Sequence, residues 1–184
     1  MSVSPRAWAA EILHFWFRDL APAQWFGRSD AVDAALRRRF ARDLARLAVQ
    51  PAAAFLTDRR TARAAVLLFD QCPRNLFRDS PRAFAFDPLA RAIARGALRR
   101  GWHRGLSKAE RQFLYMPLQH SEAIVDQILS LRLFATLDDA FTLRFARAHY
   151  RMIARFGRFP HRNAVLGRRS SPAEARAVAA GNAW

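Results

Sequence analysis

The chain has very little cysteine, glycine or lysine. Cys72 is the only cysteine, which excludes an intrachain disulfide. There are 7 glycines, and none has the spacing of a loop that cradles phosphate. No apolar run approaches the roughly 18–20 residues needed to span a bilayer. Residues 1–10 show no basic stretch followed by an apolar one, so no secretory signal is predicted. Period-two alternation of useful length is also missing, which argues against strands. These absences together predict a soluble cytoplasmic protein with no membrane association.

What is present predicts an all-α chain. Of its 184 residues, 52% are hydrophobic, enough for one substantial core, so residues 1–184 read as a single all-α domain. The formal net charge is +16, and all but Lys108 of the 31 basic residues are arginine. Abundant arginine and alanine is the bias that GC-rich codon usage produces. The field still attracts polyanions, but no zinc-finger, RRM or KH signature accompanies it. Nucleic acid therefore ranks behind a smaller anionic partner. The oligomeric state is not legible.

Local signals place about seven to eight helices. Ser4-Pro5 is an N-cap with proline at the first helical position, opening a helix toward Arg18. Val32, Leu36, Phe40, Leu44 and Leu47 give a second helix its apolar stripe. Arg38, Arg42 and Arg46 lie on another face and read as solvated. Thr57 or Asp58 opens a third helix, which turns almost wholly apolar before Asp70 and ends about Pro73. Asp87-Pro88 opens a fourth. Ser107 with Glu110, and Ser171 with Glu174, are capping boxes. Pro117 bends or breaks the helix that follows Ser107. A sixth helix then carries His120, Glu122 and Asp126 toward Ala135. Gly157 suits the left-handed position after a seventh helix begun by Asp138 or Asp139. Short connections predict antiparallel neighbours.

Two matching polar segments stand out about 90 positions apart. Asp70-Gln71-Cys72-Pro73-Arg74-Asn75-Leu76-Phe77-Arg78 is the first, and Arg155-Phe156-Gly157-Arg158-Phe159-Pro160-His161-Arg162-Asn163 the second. Each follows an apolar helix and carries a proline ahead of an Arg-Asn pair. A helix that stops to display Arg, Asn and His suggests a built polar site, so the two segments are expected to lie together.

These segments resemble a known family. With them go Phe15-Trp16-Phe17, Trp25-Phe26, Pro81-Arg82-Ala83-Phe84-Ala85 and the run Phe113 to Glu122. Together they resemble a widespread, mostly bacterial family of uncharacterised function, grouped with tetratricopeptide-like all-α folds. The resemblance covers nearly the whole chain. It implies antiparallel helices stacked in a right-handed array, and it brings no established activity or catalytic residues. In that family the position of Cys72 is usually a larger apolar residue, which argues against an essential thiol. The chain lacks the 34-residue period of a true tetratricopeptide array, so peptide binding does not transfer on fold alone.

The candidate ligand-binding residues are Asp70, Gln71, Arg74, Asn75, Arg78, His120, Glu122, Arg155, Arg158, His161, Arg162 and Asn163. Glu122 and Asp126 sit on a helix apolar on both sides, so burial would require cationic partners. Arg74, Arg78, Arg155, Arg158 and Arg162 are the expected supply. The bland alternative is a salt-bridge network that only holds the segments. His149, at the edge of an apolar face, reads as a core histidine. The His, Glu and Asp residues form no recognised metal motif, and the arginines would repel a cation, so no metal is expected. No cofactor is implied. The aromatic pairs Phe15-Trp16-Phe17 and Trp25-Phe26 read as core.

Three functions follow from this set. The first is a basic, partly buried pocket for a small anionic ligand or the acidic end of a peptide, with Arg74, Arg158 and Arg162 supplying charge-assisted bonds. The second is an enzyme acting on an anionic metabolite with Glu122 or His161 as acid or base. The third is a nucleic-acid-associated accessory protein.

Overall fold

A computed structural model describes residues 6–182. Every regular element among them is helical, so the chain is all-α. Ser4-Pro5 lies outside the described residues. Two compact units are distinguished, Met1–Arg78 with Arg82–Leu114, and Asp79–Pro81 with Tyr115–Trp184.

The first unit is built on α1 (Ala7–His14), α2 (Asp30–Leu47), α3 (Arg59–Val66), α4 (Cys72–Leu76) and α5 (Asp87–Arg99). α3 packs on α1 and α5, and α2 packs on α4. The stripe Val32, Leu36, Phe40, Leu44 and Leu47 is buried as its spacing predicts. Ser29 caps α2, and Asp58 caps α3 by accepting from the Thr61 amide at 2.8 Å. Phe113 gathers the aromatic pairs, with ring centroids 5.4 Å from Trp16 and 5.2 Å from Trp25. The Trp25 indole donates to the Trp16 carbonyl at 2.8 Å, which satisfies its N–H. Gly96 lets α5 approach closely, since a Cβ there would sit 2.3 Å from a Leu56 methyl.

Pro73 does not end the third helix. A π-helical turn, Leu67–Gln71, joins α3 to α4, and the chain stays helical through Leu76. Pro73 sits in the first turn of α4, where a missing N–H is tolerated. The wide turn aims Asp70 and Gln71 inward, and both are buried.

The boundary between the units falls within α6 (Lys108–Gln119), which also runs through its proline, Pro117. The second unit continues with α7 (Ile124–Ala135), α8 (Ala140–Phe156) and α9 (Pro172–Ala179). α7 packs along α8 across the short connection 136–139. Asp139 caps α8 through the amides of Phe141 and Thr142. Both predicted capping boxes form. Ser107 N donates to Glu110 at 2.8 Å, and Ser171 N to Glu174 at 2.7 Å.

Gly157 ends α8 at φ 69°, the left-handed region. A Cβ there would meet no atom within 4 Å, so only backbone strain opposes a side chain. Gly157→Ala is expected to cost about 1 kcal/mol. Denaturant titration checks this, and Gly157→Asn should cost less.

No described helix is long and apolar enough to cross a membrane.

Candidate functional site

The two polar segments belong to different units, 70–78 to the first and 155–163 to the second. In the first segment the arginines are engaged close by. Arg74 donates to both Asp87 oxygens at 2.9 and 3.0 Å and to the Asp70 carbonyl at 2.5 Å. Its Nη1 also lies 3.4 Å from the Asp70 carboxylate, which is fully buried. Burial opposes the charge on Arg74, but Asp70 and Asp87 outweigh it and hold its pKa above the usual value. Arg78 makes a fork to Asp33 at 2.6 and 2.9 Å and reaches Asn75 Oδ1 at 2.8 Å. Asn75 in turn donates to the Gln71 carbonyl. Bidentate pairs of this kind fix geometry strongly. Burial pushes the Cys72 thiol up, so it remains protonated and poorly nucleophilic near neutrality.

The second unit holds the other predicted residues and departs from the sequence reading in its pairing. His120 and Glu122 are not on a helix. They lie in the turn between α6 and α7, because α6 stops at Gln119 and α7 begins at Ile124. Gln127 closes this turn from α7, donating through Nε2 to the carbonyls of Gln119 and Ser121 at 2.7 and 2.6 Å. Asp126 accepts from Ser121 Oγ at 2.7 Å. Glu122 is bound bidentately by Arg168, at 2.8 and 2.9 Å, and accepts the Phe159 amide at 2.8 Å. Burial pulls its pKa up, but these bonds and the Arg168 charge hold it below the ordinary range. Arg158 pairs with the buried Glu174 at 2.6 and 3.0 Å. Hydrogen bonds from Arg158 and the Ser171 amide hold Glu174 down at about 2. Arg155 is exposed and stacks on Phe156.

The structure therefore adds Arg168 and Glu174 to the predicted set. Glu174 carries a sequence signal through its capping box. Arg168 carries none that separates it from its many fellow arginines.

What this unit assembles is an imidazole cluster around Phe159. The His149 ring lies 5.4 Å from Phe159 and 6.3 Å from His120, and His161 lies 5.5 Å from Phe159. The Arg162 guanidinium sits 4.6 Å over the Phe159 ring centroid and is only 6% exposed. Burial, with the charges of His120, His161 and Arg162, depresses the His149 pKa to about 3. His149 is therefore neutral at physiological pH. Its Nδ1 lies 2.9 Å from the Phe145 carbonyl, which requires a proton there and puts the ring lone pair on Nε2. The Gln119 side-chain amide lies 3.3 Å from the same Nδ1, where its oxygen is the group that can accept from the N–H. Asn163 donates to Ser170 Oγ at 3.0 Å, and its buried Oδ1 has no hydrogen-bond partner among the described residues. Native interiors rarely leave such an acceptor unfilled.

A cleft of about 370 Å³ opens in the first unit among Arg6, Trp8, Arg46, Leu47, Gln50, Ala54 and Phe55. None of the predicted site residues lines it. No group of His, Cys, Asp and Glu among the described residues has a geometry that would hold a metal ion.

Residues 12–182 match the family described as "Bacterial protein of unknown function (DUF924)". The chain belongs to this family. A solved structure titled "Structure of Protein of Unknown Function ATU0120 from Agrobacterium tumefaciens" is similar over 95% of this chain and 98% of its own. It shares 36% sequence identity, with a TM-score of 0.89. No curated protein matches the chain. The DUF924 assignment agrees with the resemblance carried by the polar segments, and it brings no activity with it.

Proposed function

We propose that the second unit binds a small carboxylate- or phosphate-bearing ligand beside Arg162. The observation that carries this reading is a buried guanidinium set among three imidazoles. Arg162 supplies fixed charge and a planar donor array that suits an oxyanion. His120 and His161 supply further donors. His149, held neutral, offers hydrogen bonding without adding positive charge. The buried Oδ1 of Asn163 would accept from a hydroxyl or amino group on the same ligand.

This reading narrows the predicted site. Arg158 and Arg168 are engaged in bidentate pairs and brace the segment that carries Arg162, whereas Arg74 and Arg78 are engaged within the first unit. It also ranks binding above acid–base catalysis through Glu122. A carboxylate held by Arg168 and a backbone amide stays ionised and hydrogen-bonded near neutrality, which suits it poorly to proton transfer. A depressed pKa makes His149 an equally weak base.

Thermal melts with inorganic phosphate, citrate and short dicarboxylates test the proposal. A ligand at about 100 times its Kd stabilises by about 2.7 kcal/mol, or roughly 5–10 °C for a chain of this size. We expect at least one probe to raise the midpoint of the native protein, and Arg162→Gln to abolish that rise. Arg132→Gln, an exposed site on α7, should retain it. Equal shifts in native protein and Arg162→Gln, or no shift with any probe, would end the proposal.

A further inference from the structure

Helix α8 carries Arg144, Arg147, Arg151 and Arg155, at intervals of three, four and four residues, and all four are exposed. This spacing sets them in one stripe roughly 16 Å long, at about 1.5 Å rise per residue. No acidic residue occurs in Ala140–Phe156. Asp139, just before the helix, is engaged in capping it. Among the described residues, none of the four arginines pairs with a carboxylate. Arg144 lies over the rings of Phe141 and Phe145, and Arg155 over Phe156.

An ordinary solvated helix face interleaves charges of both sign. α2 does so: it carries Asp30, Asp33 and Asp43 among its arginines. There Arg46 pairs with Asp43, and Arg39 with Glu11 and Asp19. α8 instead lines up like charges whose mutual repulsion disfavours the helix. At the N-terminal end of α8, Phe141 is 60% exposed, its ring 5.0 Å from that of Phe145.

We propose that the exposed face of α8 binds single-stranded nucleic acid. The four guanidinium groups track successive phosphates, and Phe141 with Arg144 stacks a base. Phosphate is the complement of an unpaired arginine line, and an aromatic at its end gives a base platform without sequence readout. The exposed apolar residues of α7, Ile124, Val125 and Ile128, are not needed for this contact.

Fluorescence anisotropy with labelled oligo-dT and oligo-U of about 12 nucleotides tests it, from about 50 to 300 mM salt. Native protein should bind, with log affinity falling linearly in log salt at about 0.7 per phosphate contact. Changing all four arginines together (Arg144→Gln, Arg147→Gln, Arg151→Gln, Arg155→Gln) should weaken binding at least about 30-fold and reduce the slope by about 2–3. The corresponding four lysine substitutions should largely restore it, since lysine also binds phosphate. Phe141→Ala should lose about 5–10-fold with the slope unchanged. In α2, Arg38→Gln with Arg42→Gln and Arg46→Gln should change affinity by less than about 3-fold. Circular dichroism confirms that each variant is folded. Equal losses from the α2 and α8 sets would mean diffuse charge attraction and overturn the site. So would failure to bind at low salt, or binding of anionic phosphatidylserine vesicles through α8 with indifference to the oligonucleotides.

Discussion

Arg74→Ala is expected to destabilise the protein by about 3–5 kcal/mol, the cost of breaking a buried ion pair from one side. Arg74 is the cation that bridges Asp87 and the fully buried Asp70. Its loss takes two hydrogen bonds from Asp87, one from the Asp70 carbonyl, and the guanidinium 3.4 Å from the Asp70 carboxylate. Gln71 Nε2 also donates to the Asp70 carboxylate, at 2.5 Å, a hydrogen bond that brings no charge. The defect also lies where the π-helical turn meets α4, so local backbone order depends on it. Adding Asp70→Asn to Arg74→Ala should recover part of the loss, because the buried charge is removed with its partner. Urea titration of the single and double variants measures both effects. Arg74→Ala within about 1 kcal/mol of the native protein would show that Arg74 is not structural.

Local signals were the most legible part of this fold. The Ser107–Glu110 and Ser171–Glu174 pairs act within four residues of their targets and were legible outright, while the caps of α3 and α8 were narrowed to Thr57 or Asp58 and to Asp138 or Asp139, of which Asp58 and Asp139 do the capping. The apolar stripe of α2 was legible for the same reason. Pro73 was misread because a π-helical turn has no sequence marker, and proline after one sits at a helix start rather than an end. Glu122 was correctly assigned arginine partners, and Arg162 of the expected five adds its charge, but the arginine that holds it bidentately, Arg168, was not among them. Arg168 lies 46 residues away, and with so many arginines, composition gives no way to choose. The two Arg-Asn segments, alike in sequence, differ in what engages them. One is closed by Asp33 and Asp87 in its own unit, while the other stands beside histidines in the second. His149 was legible as a buried histidine from its helix face. Its company with His120 and His161 was not, because the turns that carry those two have no periodicity to place them.

Glu122→Ala is the second large effect expected, a loss of about 2–4 kcal/mol at neutral pH. That lies below the fully buried range because both side chains of the pair keep some solvent contact, 24% exposed for Arg168 and 30% for Glu122. The substitution removes three hydrogen bonds: two to the Arg168 fork, and one from the Phe159 amide that fixes the start of the His161-Arg162 turn. Glu122→Gln should lose less, because one amide oxygen can still accept from Phe159 or Arg168. The pH dependence separates charge from shape. Arg168 and the Phe159 amide hold the folded pKa of Glu122 below its unfolded value. The unfolded chain therefore takes up the proton first as pH falls. The stabilisation is fully present above the ordinary glutamate range and is lost as pH drops through the folded pKa. The gap between native protein and Glu122→Gln should accordingly narrow on acidification from neutrality, and the gap for Glu122→Ala should narrow by a similar amount but keep a constant offset, because its hydrogen-bonding loss is permanent. Urea titrations at a series of pH values from about 7 down to about 3.5 read this directly. A native-to-Gln gap that stays constant across that range would mean that the Glu122 charge contributes nothing, and that Arg168 holds the His161-Arg162 turn without it.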